Sequence, residues 1–282
     1  MSGYADLNSL TVVVTGGARG IGRATVERLA ELGARVAVGD VDAGLASAAE
    51  DDIADRTGAV VLAAALDVAD PASWEAFLVQ TAVLGPVEVL VNNAGIMPLG
   101  PVLEEPADVA RAIVDVNLHG VINGTKAVGP GMVERGRGHI VNVASAVGRV
   151  AVPHGATYSA SKFAVVGFSE ATRAELAPSG VDVSMVLPTV VRTELAAGVP
   201  AARGVHPVSA EDVAEVIVET IRRPRPESWV PRWSKGVSRA ADLMPLRAKE
   251  ALGHLMKADT VLADADEGAR AAYEERVRRH RG

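Results

Sequence analysis

The 282-residue sequence contains no cysteine, which excludes disulfides, thiolate nucleophiles and cysteine-ligated zinc. This absence suits a reducing compartment, and we expect a cytoplasmic protein. The N-terminal residues lack the basic region and apolar run of a signal peptide, and no apolar segment reaches the roughly 18 residues needed to cross a bilayer. His119 and His139 are isolated, so we interpret them as structural and expect no metal site.

Basic residues are scarce in most of the chain. Residues 1–220 contain 14 Lys/Arg against 26 Asp/Glu, and this acidic balance argues against binding to nucleic acid. Residues 221–282 reverse the balance, with 14 basic against 9 acidic residues. Because 49% of the chain is apolar and 22% is charged, the composition is that of a globular protein with a sizeable core.

What the sequence contains is a regular alternation of short β-branched runs with longer segments of helical spacing. Strands are predicted at 10–15, 35–40, 60–67, 87–92, 139–145 and 181–187. These runs are almost continuously apolar, as expected when helices cover both faces of a sheet. We therefore predict the α/β class, with a doubly wound parallel sheet.

The first predicted strand leads directly into TGGARGIG, residues 15–22. Gly16, Gly20 and Gly22 lie between that strand and a helix beginning near Ile21. Glycine permits a tight turn and a close approach of backbone N–H groups to a pyrophosphate, and the helix N-terminus adds partial positive charge. In this context the segment predicts a dinucleotide cradle, although glycine-rich turns also occur without ligands.

Acidic residues end the second and third predicted strands. Asp40 can accept hydrogen bonds from the adenosine ribose and repel a 2′-phosphate, which favours NAD over NADP. Arg19, in the glycine loop, leaves NADP open because it could pair with that phosphate. Asp67 is placed either to contact the adenine or simply to close a turn.

Further along the chain come NNAG (92–95), Asn117, Ser145, Tyr158 and Lys162. Together with the glycine spacing, this order resembles the compact, single-domain branch of the short-chain dehydrogenase/reductase family, over about residues 8–230. One departure is visible, since the family usually has Pro-Gly after the sixth strand and this chain has Pro188-Thr189. Threonine does not readily take a positive φ, so we expect a differently shaped loop there.

The resemblance implies a Rossmann fold, an NAD(P)-dependent oxidoreductase acting on CH–OH donors, and a homodimer or homotetramer. It implies a catalytic set of Asn117, Ser145, Tyr158 and Lys162, in which Asn117 holds a water that relays the proton. The implied cofactor site is formed by Gly16, Arg19, Gly20, Ile21, Gly22, Asp40, Asp67, Val68, Asn93, Ala94, Gly95, Tyr158, Lys162, Pro188, Val191 and Thr193.

The chemistry of the segment YSASK (158–162) follows from its residue types. Hydride transfer at a carbonyl carbon needs a proton donor or acceptor at the oxygen. Residues four apart lie on one face of a helix, so the Lys162 ammonium is expected to lower the pKa of the Tyr158 phenol. Tyr158 would then act as the base in oxidation and the acid in reduction, while Ser145 holds the substrate oxygen.

For the substrate we expect a lipophilic secondary alcohol or ketone, with Met97 and His154 as candidate pocket residues. Two alternatives stay open: an NADP(H)-dependent carbonyl reductase, and a nucleotide-binding protein without turnover. The intact set of Ser145, Tyr158 and Lys162 argues against the second alternative.

The last part of the chain is predicted to form a basic, helical C-terminal extension, residues 231–282, after a dehydrogenase domain of residues 1–230. Its first helix has an apolar side (Trp233, Val237, Ala240, Ala241, Met244) opposite a basic side. We favour packing on the body, or a lid over the substrate site, above contact with a membrane surface. A second apolar set follows at Leu246, Leu252, Leu255 and Met256, and the final stretch is interpreted as a polar surface helix.

Overall fold

The computed structural model describes residues 4–8, 10–200, 206–245, 247, 251 and 260–279, and within them a seven-stranded sheet forms the centre. The strands are β1 (Thr11–Thr15), β2 (Arg35–Asp40), β3 (Val61–Ala65), β4 (Val89–Asn92), β5 (Gly138–Val143), β6 (Val181–Pro188) and β7 (Glu227–Val230). The helices are α1 (Gly20–Glu31), α2 (Ala43–Thr57), α3 (Pro71–Thr81), α4 (Ala107–Val114), α5 (Gly120–Glu134), α6 (Ala156–Leu176), α7 (Ala210–Arg222), α8 (Ser234–Asp242) and α9 (Glu267–Arg279). All strand pairs are parallel, so the predicted fold class is confirmed.

Alternate residues of β1 belong to two separate cores. Val12 and Val14 pack on one side of the sheet with Leu29 of α1, whereas Val13 packs on the other side with Phe77 of α3. Successive side chains of a strand point to opposite faces. The unbroken run of valines therefore places helices on both faces, and all three valines are fully buried.

The strand order, β3-β2-β1-β4-β5-β6-β7, reverses direction between β1 and β4. In open parallel sheets such a reversal leaves a crevice outside the carboxyl ends of the strands. The register pairs Val14 with Val91, so β1 and β4 end at the same edge. The glycine loop and the NNAG segment meet there.

The strand β7 is absent from the sequence prediction. Its residues, ESWV, contain one β-branched residue and follow a proline- and arginine-rich stretch, so the local pattern is weak. Pairing with β6 stabilises it, with Leu187 opposite Trp229 and Pro188 opposite Val230. This strand carries Trp229 to the same edge of the sheet as the end of β6.

In α8 the side that contacts the body differs from the prediction. Ser234 and Ser238 are buried, whereas Trp233 and Val237 are 49% and 46% exposed. Three residues of the predicted apolar side, Trp233, Val237 and Ala241, border the cavity described below and do not pack into the core, which is in line with the lid alternative. Leu246, Leu252, Leu255 and Met256 lie outside the described residues.

The interpretation of the last stretch as a polar surface helix is wrong for one side of α9. Arg270 is 2% exposed and Tyr273 is 7% exposed, because both contact loops of the sheet edge. Within the described part of the chain, no helix combines the length and apolar character needed to cross a membrane.

Candidate active site

The turn between β1 and α1 is confined between two other loops. Gly16 has φ +62°, and a Cβ added there would lie 2.9 Å from the Cα of Ala94. Gly20 has φ +52° and faces Thr193, whose Cγ2 would lie 3.3 Å from an added Cβ. Both positions need glycine, for the left-handed conformation and for the close approach.

The N-terminus of α1 is shaped to receive an anion. A Cβ at Gly22 would lie 2.0 Å from the carbonyl oxygen of Gly16, so only glycine allows the helix to start this close to the loop. The side chain of Arg19 makes no capping hydrogen bond, and the first turn of α1 contains no acidic residue. In contrast, Ser209 and Asp212 form a capping box at the start of α7. The loop and the uncapped helix therefore fit the phosphates of a dinucleotide.

Asp40 connects the end of β2 to the glycine loop and is 7% exposed. Its Oδ2 accepts the N–H of Ala18 at 3.1 Å, and its Oδ1 accepts the N–H of Asp42 at 3.1 Å. A carboxylate can accept about four hydrogen bonds, so acceptor sites remain for a ligand. The Arg19 guanidinium next to it donates to Asp42 at 3.1 Å and to Glu194 at 3.4 Å.

Asn93 holds the ends of β1 and β4 together. Its Nδ2 donates to the carbonyls of Thr15 at 2.9 Å and Gly16 at 3.1 Å. The backbone N–H groups of Asn93 and Ala94 both donate to Thr15 Oγ1, at 3.0 Å each. Asn93 thus fixes the position of the glycine loop relative to the NNAG segment.

The turn after β3 contains Asp67 and Val68. The exposed Asp67 accepts the N–H of Ala69 with its Oδ1 at 2.9 Å, so it closes the turn. Val68 is buried, and its carbonyl accepts a hydrogen bond from Trp74 Nε1. Asp67 thus closes the turn, and contact with an adenine stays a prediction, since both Asp67 and Val68 line the cavity.

Asn117 lies in a π-helical turn, Asp115–His119, between α4 and α5, and it is completely buried. Its Oδ1 accepts the N–H of Ile96 at 2.8 Å, while its Nδ2 donates to the Ile96 carbonyl at 2.9 Å and to Ser161 Oγ at 3.0 Å. Both ends of the amide are therefore occupied. The side chain joins the segment after β4 to α6.

Ser145, Tyr158 and Lys162 meet at the carboxyl end of β5, and each is less than 9% exposed. Tyr158 and Lys162 are one turn apart on the buried side of α6, and Ser145 hydrogen-bonds to the Tyr158 phenol. The Lys162 ammonium donates to the carbonyl of Val143 at 3.1 Å. Its Nζ lies 5.9 Å from the centroid of the Tyr158 ring.

The protein by itself does not lower the pKa of Tyr158, contrary to the sequence expectation. Burial raises the pKa of Tyr158 to about 12, and the hydrogen bond with Ser145 opposes that rise only in part. Burial also lowers the pKa of Lys162 to about 8. Desolvation disfavours the charged form of each group. Burial therefore favours the neutral phenol, and a positive charge bound in the cavity would favour the phenolate.

The loop after β6 returns to the glycine loop. Among the described residues, His154 is the one non-glycine residue with a positive φ, so Thr189 replaces the family's glycine without backbone strain. The N–H of Thr189 donates to the Val230 carbonyl at 2.9 Å. Val191 forms a bridge with Val208, and Thr193 contacts Gly20. The expected change of loop shape at Thr189 is therefore not forced by its φ.

A cavity of about 830 Å³ connects these elements. The residues predicted for the site that line it are Gly16, Arg19, Gly20, Ile21, Asp40, Asp67, Val68, Asn93, Ala94, Gly95, Met97, Ser145, Tyr158, Lys162, Pro188, Val191 and Thr193. Gly22 and Asn117 lie behind the lining and hold it in place. Much of the remaining wall is apolar: Ile96, Ala112, Val116, Val147, Val150, Val152, Leu195, Val199, Trp229, Trp233, Val237, Val261, Leu262 and Val277. The exposed side chains of Asp108 and Arg111 also contribute, which places charge at the solvent edge.

The two candidate substrate residues have different positions. Met97 lines the cavity and packs with Tyr158 and Ile113. His154, which is described by the structure, is not among the lining residues, so its assignment to the pocket is not supported. Its φ is +61° and its carbonyl accepts the N–H of Gly100 at 2.9 Å. On this side Leu262 provides the wall instead, since a Cβ at the neighbouring Gly155 would lie 2.7 Å from Leu262 Cδ1.

The helix α9 contributes residues that the sequence interpretation missed. Tyr273, Arg276 and Val277 line the cavity, and the buried Arg270 donates to loop carbonyls beside it. Arg270, Tyr273 and Val277 recur at i, i+3 and i+7, which is one side of a helix. This spacing could have indicated a buried side of α9, but the many charged residues in the same segment make the pattern hard to recognise.

Comparisons with known proteins agree with this geometry. A model of the short-chain dehydrogenase family matches residues 10–204. A 3-alpha-(or 20-beta)-hydroxysteroid dehydrogenase of Mycobacterium tuberculosis is 42% identical over 192 residues, which cover 67% of this chain and 71% of that protein. Among solved structures, a short-chain dehydrogenase/reductase from Burkholderia phymatum in complex with NAD has a TM-score of 0.76 and 27% identity, and covers 83% of this chain and 93% of its own. Levodione reductase has a TM-score of 0.75 and 26% identity, and covers 81% and 98%.

Proposed function

The chain belongs to the short-chain dehydrogenase family of NAD(P)-dependent oxidoreductases that act on CH–OH groups, and we propose that it transfers a hydride between NAD(H) and a lipophilic secondary alcohol or its ketone. The observation that carries the proposal is the meeting of Ser145, Tyr158 and Lys162 in the same cavity as the glycine loop. A hydride donor and a proton donor have to reach one carbonyl group from two sides, and a cavity that joins the glycine loop to Tyr158 supports such an arrangement.

NAD, when bound, supplies the hydride acceptor and, in its oxidised form, a positive charge. In oxidation the C–H bond of the alcohol breaks, its electron pair and hydrogen leave together as hydride, and the O–H proton passes to the Tyr158 phenolate. In reduction the ketone carbon receives the hydride and neutral Tyr158 protonates the oxygen. Because burial raises the pKa of Tyr158 to about 12, the free protein holds the phenol in its acid form.

Ser145 and Lys162 assist Tyr158 in different ways. Ser145 hydrogen-bonds to the phenol and is positioned to hold the substrate oxygen beside it. Lys162 is fixed by the Val143 carbonyl near the Tyr158 ring, where its charge favours the phenolate once the phenol loses a proton. Asn117 joins the segment after β4 to α6 through Ile96 and Ser161, and we propose that it also keeps the proton-relay role that the resemblance implies.

For the cofactor we propose NAD rather than NADP. Asp40 presents a carboxylate at the cavity beside the glycine loop, and a carboxylate at the end of the second strand would repel a 2′-phosphate. Arg19 is already paired with Asp42 and Glu194, so it is not free to neutralise that phosphate. The NAD complex of the Burkholderia phymatum structure is in line with this choice.

For the substrate we propose a cyclic, largely apolar alcohol or ketone, with hydroxysteroids as the first class to test. The extensive apolar wall favours a bulky hydrophobic ligand, because burying apolar surface drives such binding. The name of the Mycobacterium tuberculosis relative points to the same class.

The test combines cofactor binding with turnover. NADH and NADPH are titrated, and a panel of steroid and smaller cyclic ketones is followed by nicotinamide absorbance. Tyr158→Phe is expected to keep the NADH dissociation constant and to lower kcat by about 100-fold or more, since it removes the proton donor. Tyr4→Phe is the matched control, because Tyr4 hydrogen-bonds to Glu88 away from the cavity.

The same measurements decide between the alternatives. Tighter binding of NADPH would favour an NADP(H)-dependent carbonyl reductase. Binding of NADH without turnover of any alcohol or ketone would favour a non-catalytic nucleotide-binding protein. Near wild-type turnover in Tyr158→Phe would overturn the acid/base assignment.

We also propose that residues 1–230 form the dehydrogenase domain and that residues 231–282 form an extension completing its cavity. The supporting observation is that α8 and α9 both contribute lining residues. The homodimer or homotetramer implied by the resemblance stays a prediction. Phe163 on α6 is 43% exposed, and sedimentation of Phe163→Glu against the wild type would test whether that face joins two copies.

A further inference from the structure

Residues 260–279, here called the C-terminal segment, close one side of the cavity. The lining residues of this segment are Val261, Leu262, Tyr273, Arg276 and Val277, all beyond the part of the chain that the family model matches. The wall is therefore a property of this chain's own extension. It faces the segment after β4 and the loop after β6.

Arg270 attaches this wall to both of those segments. Its guanidinium donates to the carbonyls of Leu195 and Ala197, at 3.2 Å each, and to the carbonyl of Met97 at 2.6 Å. A guanidinium with several donors in one plane can bridge several acceptors in this way. At 2% exposure, it is removed from competing water. The buried Arg270 therefore fixes α9 against the cavity.

The Tyr273 ring is fixed as well. The guanidinium carbons of Arg270 and Arg276 lie 5.2 and 5.9 Å from its centroid, within the range of cation–π attraction. The phenolic oxygen accepts the N–H of Met97 at 2.7 Å. Met97 in turn packs against Tyr158. The second phenol is thus held near the proposed acid/base, close enough that the two groups interact electrostatically.

The hydroxyl of Tyr273 has a hydrogen left to donate. A tyrosine hydroxyl can accept and donate at once, and within the described part of the chain its oxygen accepts from Met97 while its own hydrogen has no acceptor. Burial raises the pKa of Tyr273 to about 12, so the hydrogen is retained. Because Tyr273 lines the cavity, a ligand oxygen bound there can accept this hydrogen.

We propose that Tyr273 donates a hydrogen bond to a second oxygen of the substrate, so that α9 selects ring ketones and alcohols carrying two oxygens over those carrying one. This inference rests on the proposed function. It adds a specificity-determining residue to that site. The reacting oxygen is held by Ser145 and Tyr158, and the second oxygen is held by Tyr273.

The test uses the full chain, NADH and pairs of ketones that share one ring skeleton. Each pair contains a monoketone and a diketone, and the separation of the two oxygens increases along the series. The readout is the ratio of kcat/KM, diketone over monoketone. Tyr273→Phe keeps the ring and removes the hydroxyl, and we expect it to lower this ratio about tenfold for at least one pair. Tyr4→Phe, which removes a distant hydroxyl, should leave every ratio at the wild-type value.

Using a ratio separates recognition from folding, because loss of the Met97 hydrogen bond would impair both members of a pair alike. An unchanged ratio for all pairs in Tyr273→Phe would overturn the proposal. If the wild type turns over neither a ketone nor the corresponding alcohol, the proposed function fails. The same pairs are then compared by equilibrium binding to the NADH complex, followed by the fluorescence of Trp229 and Trp233 in the cavity wall. In that experiment the readout is the ratio of dissociation constants, monoketone over diketone. A fall of this ratio in Tyr273→Phe supports the proposal, and an unchanged ratio overturns it.

Discussion

The Lys162 ammonium lies 5.9 Å from the centroid of the Tyr158 ring and donates a hydrogen bond to the Val143 carbonyl at the end of β5. Both side chains are buried, and burial shifts their pKa values in opposite directions, upward for the phenol and downward for the amine. Both groups are therefore protonated near neutral pH, and loss of the Tyr158 proton depends on the charge of whatever binds in the cavity.

The value of kcat/KM for ketone reduction should depend on the charge of Lys162. Burial lowers the pKa of Lys162 to about 8, so the ammonium loses its proton as the pH rises through that value, while Tyr158 keeps its own. We expect kcat/KM for reduction to fall above about pH 8. In Lys162→Arg, whose guanidinium stays charged, the fall should move to higher pH even if the rate is lower. If kcat/KM falls over the same pH range in both proteins, the titration of Lys162 is not the cause of the fall.

Asp40 should set the preference for NADH. Asp40→Asn keeps the shape of the side chain and removes the charge that repels a 2′-phosphate. We expect the ratio of the NADPH to the NADH dissociation constant to fall about tenfold, which is a difference of about 1.4 kcal/mol. Asp70→Asn is the control, since Asp70 caps α3 by accepting the N–H of Ala72 and does not line the cavity. An equal loss of affinity for both cofactors would assign Asp40 to bracing the glycine loop alone.

Arg270 is predicted to act as a positioning residue for the substrate. Lysine cannot reproduce the contacts of the planar guanidinium with three carbonyls, so Arg270→Lys should loosen α9. We expect KM for a bulky ketone to rise about tenfold or more, with a smaller change in kcat and little change in NADH affinity. Arg278→Lys, at an exposed position of the same helix, should behave like the wild type. A fall in NADH affinity matching the rise in KM would indicate general unfolding instead.

His139 should make the stability of the protein fall in acid. Burial lowers its pKa to about 4, whereas an unfolded histidine titrates near 6.5, so between these values the unfolded state binds more protons. The stabilisation is complete above about pH 6.5 and is lost as the pH falls towards 4, by about 3 kcal/mol from this residue. Denaturant unfolding at several pH values measures it.

The substitution His139→Gln isolates this contribution. It should be less stable at neutral pH, because it disturbs the contact with Ser184, and should show a smaller loss of unfolding free energy in acid. Equal slopes in His139→Gln and the wild type would contradict the prediction.

Much of the fold could be predicted because its causes are local. The unbroken valines of β1 require covered faces on both sides of the sheet, and the glycines at 16, 20 and 22 allow conformations and approaches that other residues do not. The strand β7 escaped prediction because its stability comes from pairing with β6 and not from its own residues. The predicted site residues lie together at one edge of the sheet because the carboxyl ends of the parallel strands meet there.

The sequence by itself determined the α/β fold and the glycine loop, because apolar periodicity and glycine conformation are properties of short segments. The family resemblance supplied many of the residues that line the cavity, but none of those from α9. Only the tertiary structure decided that α9 forms a wall, that Leu262 and not His154 lines the cavity beside Gly155, and that the pKa of Tyr158 rises instead of falling. These outcomes depend on contacts between distant parts of the chain and on the desolvation they cause. Met97 and Tyr273, 176 positions apart, share one hydrogen bond, and no local pattern contains that information.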